Sequence, residues 1–150
     1  MEMSSLQTSL SCKENPHCIF DKKEIIVSMT IKNTSQHEVG LTIDYIYAKG
    51  LHCYLMDVRS LKKITLRISL TPDELKNKFT VLRPGEAVDT ERVIDAGLIT
   101  SIRTEMIELK AVVGVSGWMQ APRGAEPEWF VDEKEVTIIG RDKFELNNNF

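Results

Sequence analysis

The sequence predicts an all-β chain, and two observations carry that prediction. Apolar residues recur with period two along several stretches, and the stretches are separated by short runs of turn residues. Successive side chains of a strand point to opposite faces, so strict alternation marks a strand with one wet face. About eight such segments give the pattern of an antiparallel sandwich or barrel.

Taken in order, SLQTSL (5–10) alternates Leu6, Thr8 and Leu10 and reads as an edge strand. In EIIVSMTIKN (24–33), Ile25, Val27, Met29 and Ile31 share one face, with Ile26 the exception. EVGLTIDY (38–45) sets Val39, Leu41, Ile43 and Tyr45 against polar or small neighbours. LHCYLMDV (51–58) is apolar almost throughout, as a central strand is. KITLRISL (63–70) alternates Ile64, Leu66, Ile68 and Leu70 against Lys63, Thr65, Arg67 and Ser69. AVDTERVI (87–94), IELKAVVGV (107–115) and KEVTIIG (134–140) complete the set. At most one short helix is predicted, near 72–77: Thr71 is placed to cap, Pro72 to occupy the first turn, and Asp73 and Glu74 to meet the dipole's positive end. Residues 1–4 and 145–150 are expected to fray.

The 150 residues form a single domain, 1–150, large enough to be stable without a metal or disulfide staple. Hydrophobic residues at 42% and charged residues at 27% are those of an ordinary soluble globule. A net charge of −3 gives no electrostatic reason to expect nucleic acid. No apolar run approaches the roughly 18–20 residues that span a bilayer. The first residues lack a basic region followed by an apolar one, so no signal peptide is read there. Together with three cysteines, an odd number, this points to the cytoplasm, or to a periplasmic or secreted protein whose leader has been removed.

Three features carry a resemblance. IFDKKEIIVSMTIKNTS leads a charged turn into a strand ending in Asn33-Thr34-Ser35, VGLTI follows, and FTVLRPGEAVDTERV places Phe79, Leu82, Pro84, Gly85 and Glu86 in an F-x-x-L-x-P-G-E pattern. This layout, over about residues 19–115, resembles bacterial and fungal immunoglobulin-like accessory domains. It is similar to the bacterial intracellular proteinase inhibitor family and to the non-catalytic N-terminal region of deuterolysin-type metalloendopeptidases. The resemblance implies an immunoglobulin-like antiparallel β-sandwich of seven or eight strands and an interaction role. It transfers no functional residues, because the matching positions are structural. Physics asks for the same residues: Asn-Thr-Ser turns the chain at a strand end, and Pro-Gly suits a tight turn.

Few residues suggest chemistry. His37-Glu38 is half of H-E-x-x-H, but Leu41 stands where the second ligand belongs and the local period is two, not that of a helix. Asn33-Thr34-Ser35 is a glycan acceptor only in a chain secreted by a eukaryote. Cys12, His17, Cys18 and either His52 or Cys53 make a candidate metal set if the 12–18 loop folds over the 51–58 strand. A Cys12–Cys18 bridge and a buried Cys53 thiol are the structural alternatives. No G-x-S-x-G elbow, cysteine-centred signature or phosphate loop is present, so no catalytic residues and no cofactor are assigned. The basic run RSLKKITLR (59–67) lacks aromatic neighbours and reads as a solvated strand face.

The connection between the last two strands stands apart. It spans 118–130 and holds both tryptophans, Trp118 and Trp129, beside Met119 and Phe130. A dozen residues is long for a hairpin, and Trp and Arg are enriched at binding hot spots. The tryptophans pack on each other across the hairpin base, or contact a partner, or both readings hold, with the aromatics at the base and partner contacts at Arg123 and Glu126 on the tip. The sequence thus predicts a non-catalytic module that binds another protein through its end loops. A proteinase is the partner that the resemblance suggests. The alternatives are an accessory domain using a sheet edge for strand addition and a metal-binding module.

Overall fold

The computed structural model describes residues 5–148; the expected fraying of 1–4 and of 149–150 lies outside them. The described residues form ten strands: β1 Leu6–Cys12, β2 Ile19–Phe20, β3 Ile25–Asn33, β4 Val39–Leu41, β5 His52–Asp57, β6 Lys63–Thr65, β7 Thr80–Leu82, β8 Ala87–Ile94, β9 Glu108–Gln120 and β10 Glu128–Gly140. Three short helices, α1 Ile43–Lys49, α2 Ala96–Ile102 and α3 Arg141–Asn148, and a 3-10 turn at Asp73–Asn77 complete the chain.

The strands divide between two sheets. One is β1-β3-β8, antiparallel throughout. The other runs β2-β10-β9-β4-β7, with β5 also on β9 and β6 on β5. The alternation in β3 is obeyed fully: Ile25, Val27, Met29 and Ile31 are buried. They belong to one core with Leu41, Leu55, Leu109, Val113 and Ile138 of the other sheet. Each such side chain contributes roughly 1.5–3 kcal/mol on burial, so this shared interior holds the sheets together.

β4 and β5 flank the same side of β9. Leu41 pairs with Met119 and His52 with Gly114, and α1 fills the interval between them. Thr42 makes the transition: its N–H donates to Trp118 O at 3.0 Å, and its hydroxyl accepts from Trp118 N at 2.9 Å. Gly117 lets α1 approach, since a Cβ there would lie 2.9 Å from Ile46 Cγ1.

At the other end of β3, Asn33 is fully buried. Its Nδ2 donates to His37 O at 2.8 Å and to Leu82 O at 2.9 Å. Its Oδ1 accepts from Ser35 N at 3.0 Å and Ser35 Oγ at 2.7 Å. The backbone adds Asn33 N to Glu86 O at 2.9 Å and Gly85 N to Asn33 O at 2.8 Å. Every polar site of the residue is used. Glu86 N donates to Arg83 O at 2.9 Å, closing a turn in which Gly85 holds φ at +84°, a conformation glycine adopts without a Cβ penalty. The Asn-Thr-Ser and Pro-Gly-Glu segments are therefore one unit. With its amide nitrogen so engaged, Asn33 offers no glycan acceptor in the folded chain.

Several expectations are corrected. Ten strands replace seven or eight, and β2 runs parallel to β10, so the fold is not wholly antiparallel. Three α-helices replace at most one. The supposed strand at 38–45 ends at Leu41, because Ile43 and Ile46 also fit helical spacing and Asp44 and Lys49 complement the helix dipole. α2 was hidden by Gly97 and the β-branched Ile99, Thr100 and Ile102, poor helix formers that tertiary packing of Ile99 overrides. Residues 145–148, expected to fray, lie in α3, where Arg141 pairs with Asp21 at 3.0 Å and Phe144 meets the His17 ring. The KITLRISL strand stops at Thr65, leaving Ile68 and Leu70 exposed. Thr71 does not cap the 3-10 turn, and Pro72 takes the cap position instead.

Replacing Asn33 by Ala removes the side-chain partner of the buried Leu82 carbonyl and of the Ser35 amide, while the His37 carbonyl keeps Ser35 Oγ at 3.0 Å. The expected cost is about 2–4 kcal/mol, read as a melting point lower by roughly 5–15 °C. Thermal unfolding followed by circular dichroism checks this, and a shift under a degree would contradict the assigned role.

Candidate functional site

The last hairpin is longer and tighter than its sequence suggested. β9 reaches Gln120 and β10 starts at Glu128, so the true loop is 121–127 rather than 118–130. Trp118 and Trp129 are directly paired in the ladder, with ring centroids 5.1 Å apart in an edge-to-face arrangement. Trp129 remains 46% exposed. Met119 packs against the core, and Phe130 is buried, so these two of the six predicted contact residues face inward. Their positions follow from parity: in β10, Trp129 and Val131 face out where Phe130 faces in.

The loop is braced from the turn after β3. Arg123 N donates to Glu38 O at 2.7 Å, and the Arg123 guanidinium pairs with the Glu38 carboxylate at 3.4 Å. Ala125 N donates to Pro122 O at 2.9 Å, tightening the tip. Glu126 and Pro127 are exposed there. Beside the loop lies a shallow groove of about 360 Å³, lined by Trp118, Pro127 and Asp73, Lys76 and Asn77 of the 3-10 turn. His37-Glu38 is thus neither a helix nor a metal site; Glu38 is the loop's anchor, while Leu41 is wholly buried.

One cluster had no signal in the linear sequence. Lys49 at the end of α1 places its ammonium 5.1 Å from the Trp129 ring centre and 5.4 Å from that of Tyr45. The same nitrogen donates to Ser116 Oγ at 2.6 Å, and His52 Nε2 lies 3.3 Å from that oxygen. Burial first, then the charges of Lys49 and Arg92, lower the His52 pKa, against an opposing pull from Glu133. A neutral imidazole suits this position, because Nε2 can accept the Ser116 hydroxyl proton while that oxygen accepts from Lys49. Ser116 is buried, so its hydroxyl joins α1 to the hairpin rather than facing a substrate. Of its residues the sequence singles out His52, as a metal-ligand candidate, and Trp129, as a partner contact, with nothing to join them.

The predicted metal set is not brought together. Cys12 and Cys18 are joined in a disulfide, with Cα atoms 5.4 Å apart. Cys53 is buried and its thiol is pushed up to about 11 by burial, which disfavours the thiolate that metals require. His17 stands against Phe144 and His52 against Ser116. Among the described residues no group of three or more His, Cys, Asp or Glu side chains is placed to hold a metal. The disulfide also removes the argument from an odd cysteine count, since the third thiol is shielded in the core. No helix among the described residues is long and apolar enough to cross a membrane.

No family model matches the chain, and no curated protein matches it. Solved structures are similar at a low level. A β-glucosidase from Kluyveromyces marxianus aligns at TM-score 0.40 and 16% identity, over 93% of this chain but 15% of that one. The structural-genomics target SoR45 aligns at TM-score 0.39 and 10% identity, covering 89% and 86% of the two chains. The putative ApaA protein from Bordetella pertussis aligns at TM-score 0.36 and 12% identity, covering 87% and 89%.

The lowered His52 pKa fixes a pH dependence. Below the ordinary value of 6.5 the unfolded chain takes up a proton that the folded one resists, so stability falls with pH until the folded value is passed. Urea unfolding between about pH 5 and 8 is expected to show this slope, and His52→Gln to flatten it. An unchanged slope in the variant would contradict the network.

Proposed function

We propose that the chain is a non-catalytic, immunoglobulin-like β-sandwich that binds another protein through its 121–127 loop and the Trp118–Trp129 pair beside it. The strand arrangement supports the fold reading. β1, β3 and β8 correspond to strands A, B and E of an immunoglobulin sheet, and the β4/β5 line, β9 and β10 to C, F and G of its partner.

The observation that carries the binding role is the brace between Arg123 and Glu38. A loop held by a backbone bond and an ion pair has little conformational freedom left to lose on association. Preorganisation of this kind gives affinity that area alone does not. Trp129, half exposed beside it, is the residue type that anchors hot spots. The resemblance to proteinase inhibitors makes a proteinase cleft the partner of choice, with Arg123, Glu126 and Pro127 presented to it.

A panel covering serine, cysteine, aspartic and metallo-proteinases, assayed with micromolar protein, is expected to reveal inhibition of one class. Arg123→Ala is expected to weaken that inhibition at least tenfold while leaving the melting point within about 2 °C, as for an exposed pair. If no class is slowed, the inhibitor reading fails. Trp129→Ala separates the roles of the aromatic pair: a lost interaction with unchanged stability marks a hot spot, and a lowered melting point marks packing.

A further inference from the structure

β10 offers a second surface of a different kind. It pairs with β9 from Glu128 to Ile139, but on its other side only Ile139 and Gly140 meet β2. Among the described residues, 128–138 therefore carry no ladder partner along that edge. An unpartnered edge is a template for another strand. Next to it runs a groove of about 480 Å³ between β1 and β10, lined by Gln7, Thr8, Met119, Phe130, Val131 and Lys134. Phe130 is buried at its floor, whereas Val131 is 63% exposed on the rim.

The charge along the edge selects the occupant. Glu128, Asp132, Glu133 and Glu135 set four carboxylates against the single ammonium of Lys134. A second copy of this chain brings the same acidic row and is repelled, since like charges facing across a ladder destabilise it. A basic strand is attracted. We propose that the free edge of β10 adds an extended, basic peptide segment of a partner protein as an extra strand, its alternate apolar side chains entering the groove beside Phe130. Main-chain hydrogen bonds then provide affinity and alternate side chains provide selection. The Thr8 hydroxyl donates to Asp132 across the groove. With its apolar side chains on that inner face, the strand's lysines fall on the other face, beside Glu133 and Glu135. The proposal rests on the protein-binding reading and shares Trp129 with that site but none of residues 121–127, so peptide binding without proteinase inhibition, or the reverse, separates the two readings.

The test is fluorescence anisotropy of the intact chain with a labelled peptide alternating lysine and valine, about six residues long, the length of an ordinary strand. Saturable binding is expected, with at least a tenfold loss in Glu133→Lys/Glu135→Lys, whose exposed positions leave the core untouched. The same peptide N-methylated at alternate residues cannot complete a ladder and is expected to lose binding. Hydrogen exchange is expected to slow at amides within 128–138 and not within 121–127. Failure of the basic peptide to bind, or equal binding of the N-methylated one, overturns the proposal; the latter outcome reduces the effect to charge attraction alone.

Discussion

The buried side chain of Asn33 carries a large share of the order at one end of this molecule. Four side-chain hydrogen bonds and two from its backbone tie the end of β3 to the turn that follows it and to the Arg83–Glu86 turn, which carries the chain from one sheet to the other. An amide buried without partners costs several kcal/mol, so this geometry is held closely once it forms. The consequence reaches the surface. Asn33 fixes the carbonyl of His37, the next residue is Glu38, and Glu38 holds Arg123 in the last hairpin's loop. A core polar residue thus sets the shape of the proposed binding loop about ninety residues away in sequence.

A second constraint acts from the opposite direction. Where a continuous strand would lie beside β9, the chain folds into α1, and Thr42 and Gly117 make that substitution possible. The helix delivers Lys49 to the outer sheet face, where its ammonium meets Ser116, Tyr45 and Trp129. Attraction between an ammonium and aromatic faces is worth about 0.5–2 kcal/mol, more as water is excluded. Trp129 is therefore held on one side by Trp118 and on another by Lys49, while almost half of it stays open. Fixing an aromatic in place while leaving it accessible is what a preorganised contact requires.

Much of the strand framework was legible because period two is a local signal. Ile25, Val27, Met29 and Ile31 could only be one buried face, and AVDTERVI matched β8 residue for residue. Errors arose where local patterns were ambiguous. Ile43 extends the alternation of β4 yet also begins a helix, and Ile68 and Leu70 continue an alternation that has no sheet to meet. In the hairpin, the tryptophans mark the place but not the ends of the 121–127 loop, since strand ends carry weak sequence marks. Contacts across the fold were not legible at all. Asn33 with Leu82, Lys49 with Ser116, and Glu38 with Arg123 join residues that only the assembled sheets bring together. Both halves of the Asn33 unit were visible as separate turn motifs, and nothing in the chain announced that they were one.

Order passes from Asn33 through Glu38 into the 121–127 loop. Native-state hydrogen exchange at the Arg123 amide, which donates to Glu38 O, tests it most directly. This amide is expected to be protected to the same degree as Gly85, whose N–H donates to Asn33 itself, because both report on one cooperative unit. Exchange of Arg123 at the rate of an open loop, with Gly85 still protected, would contradict it.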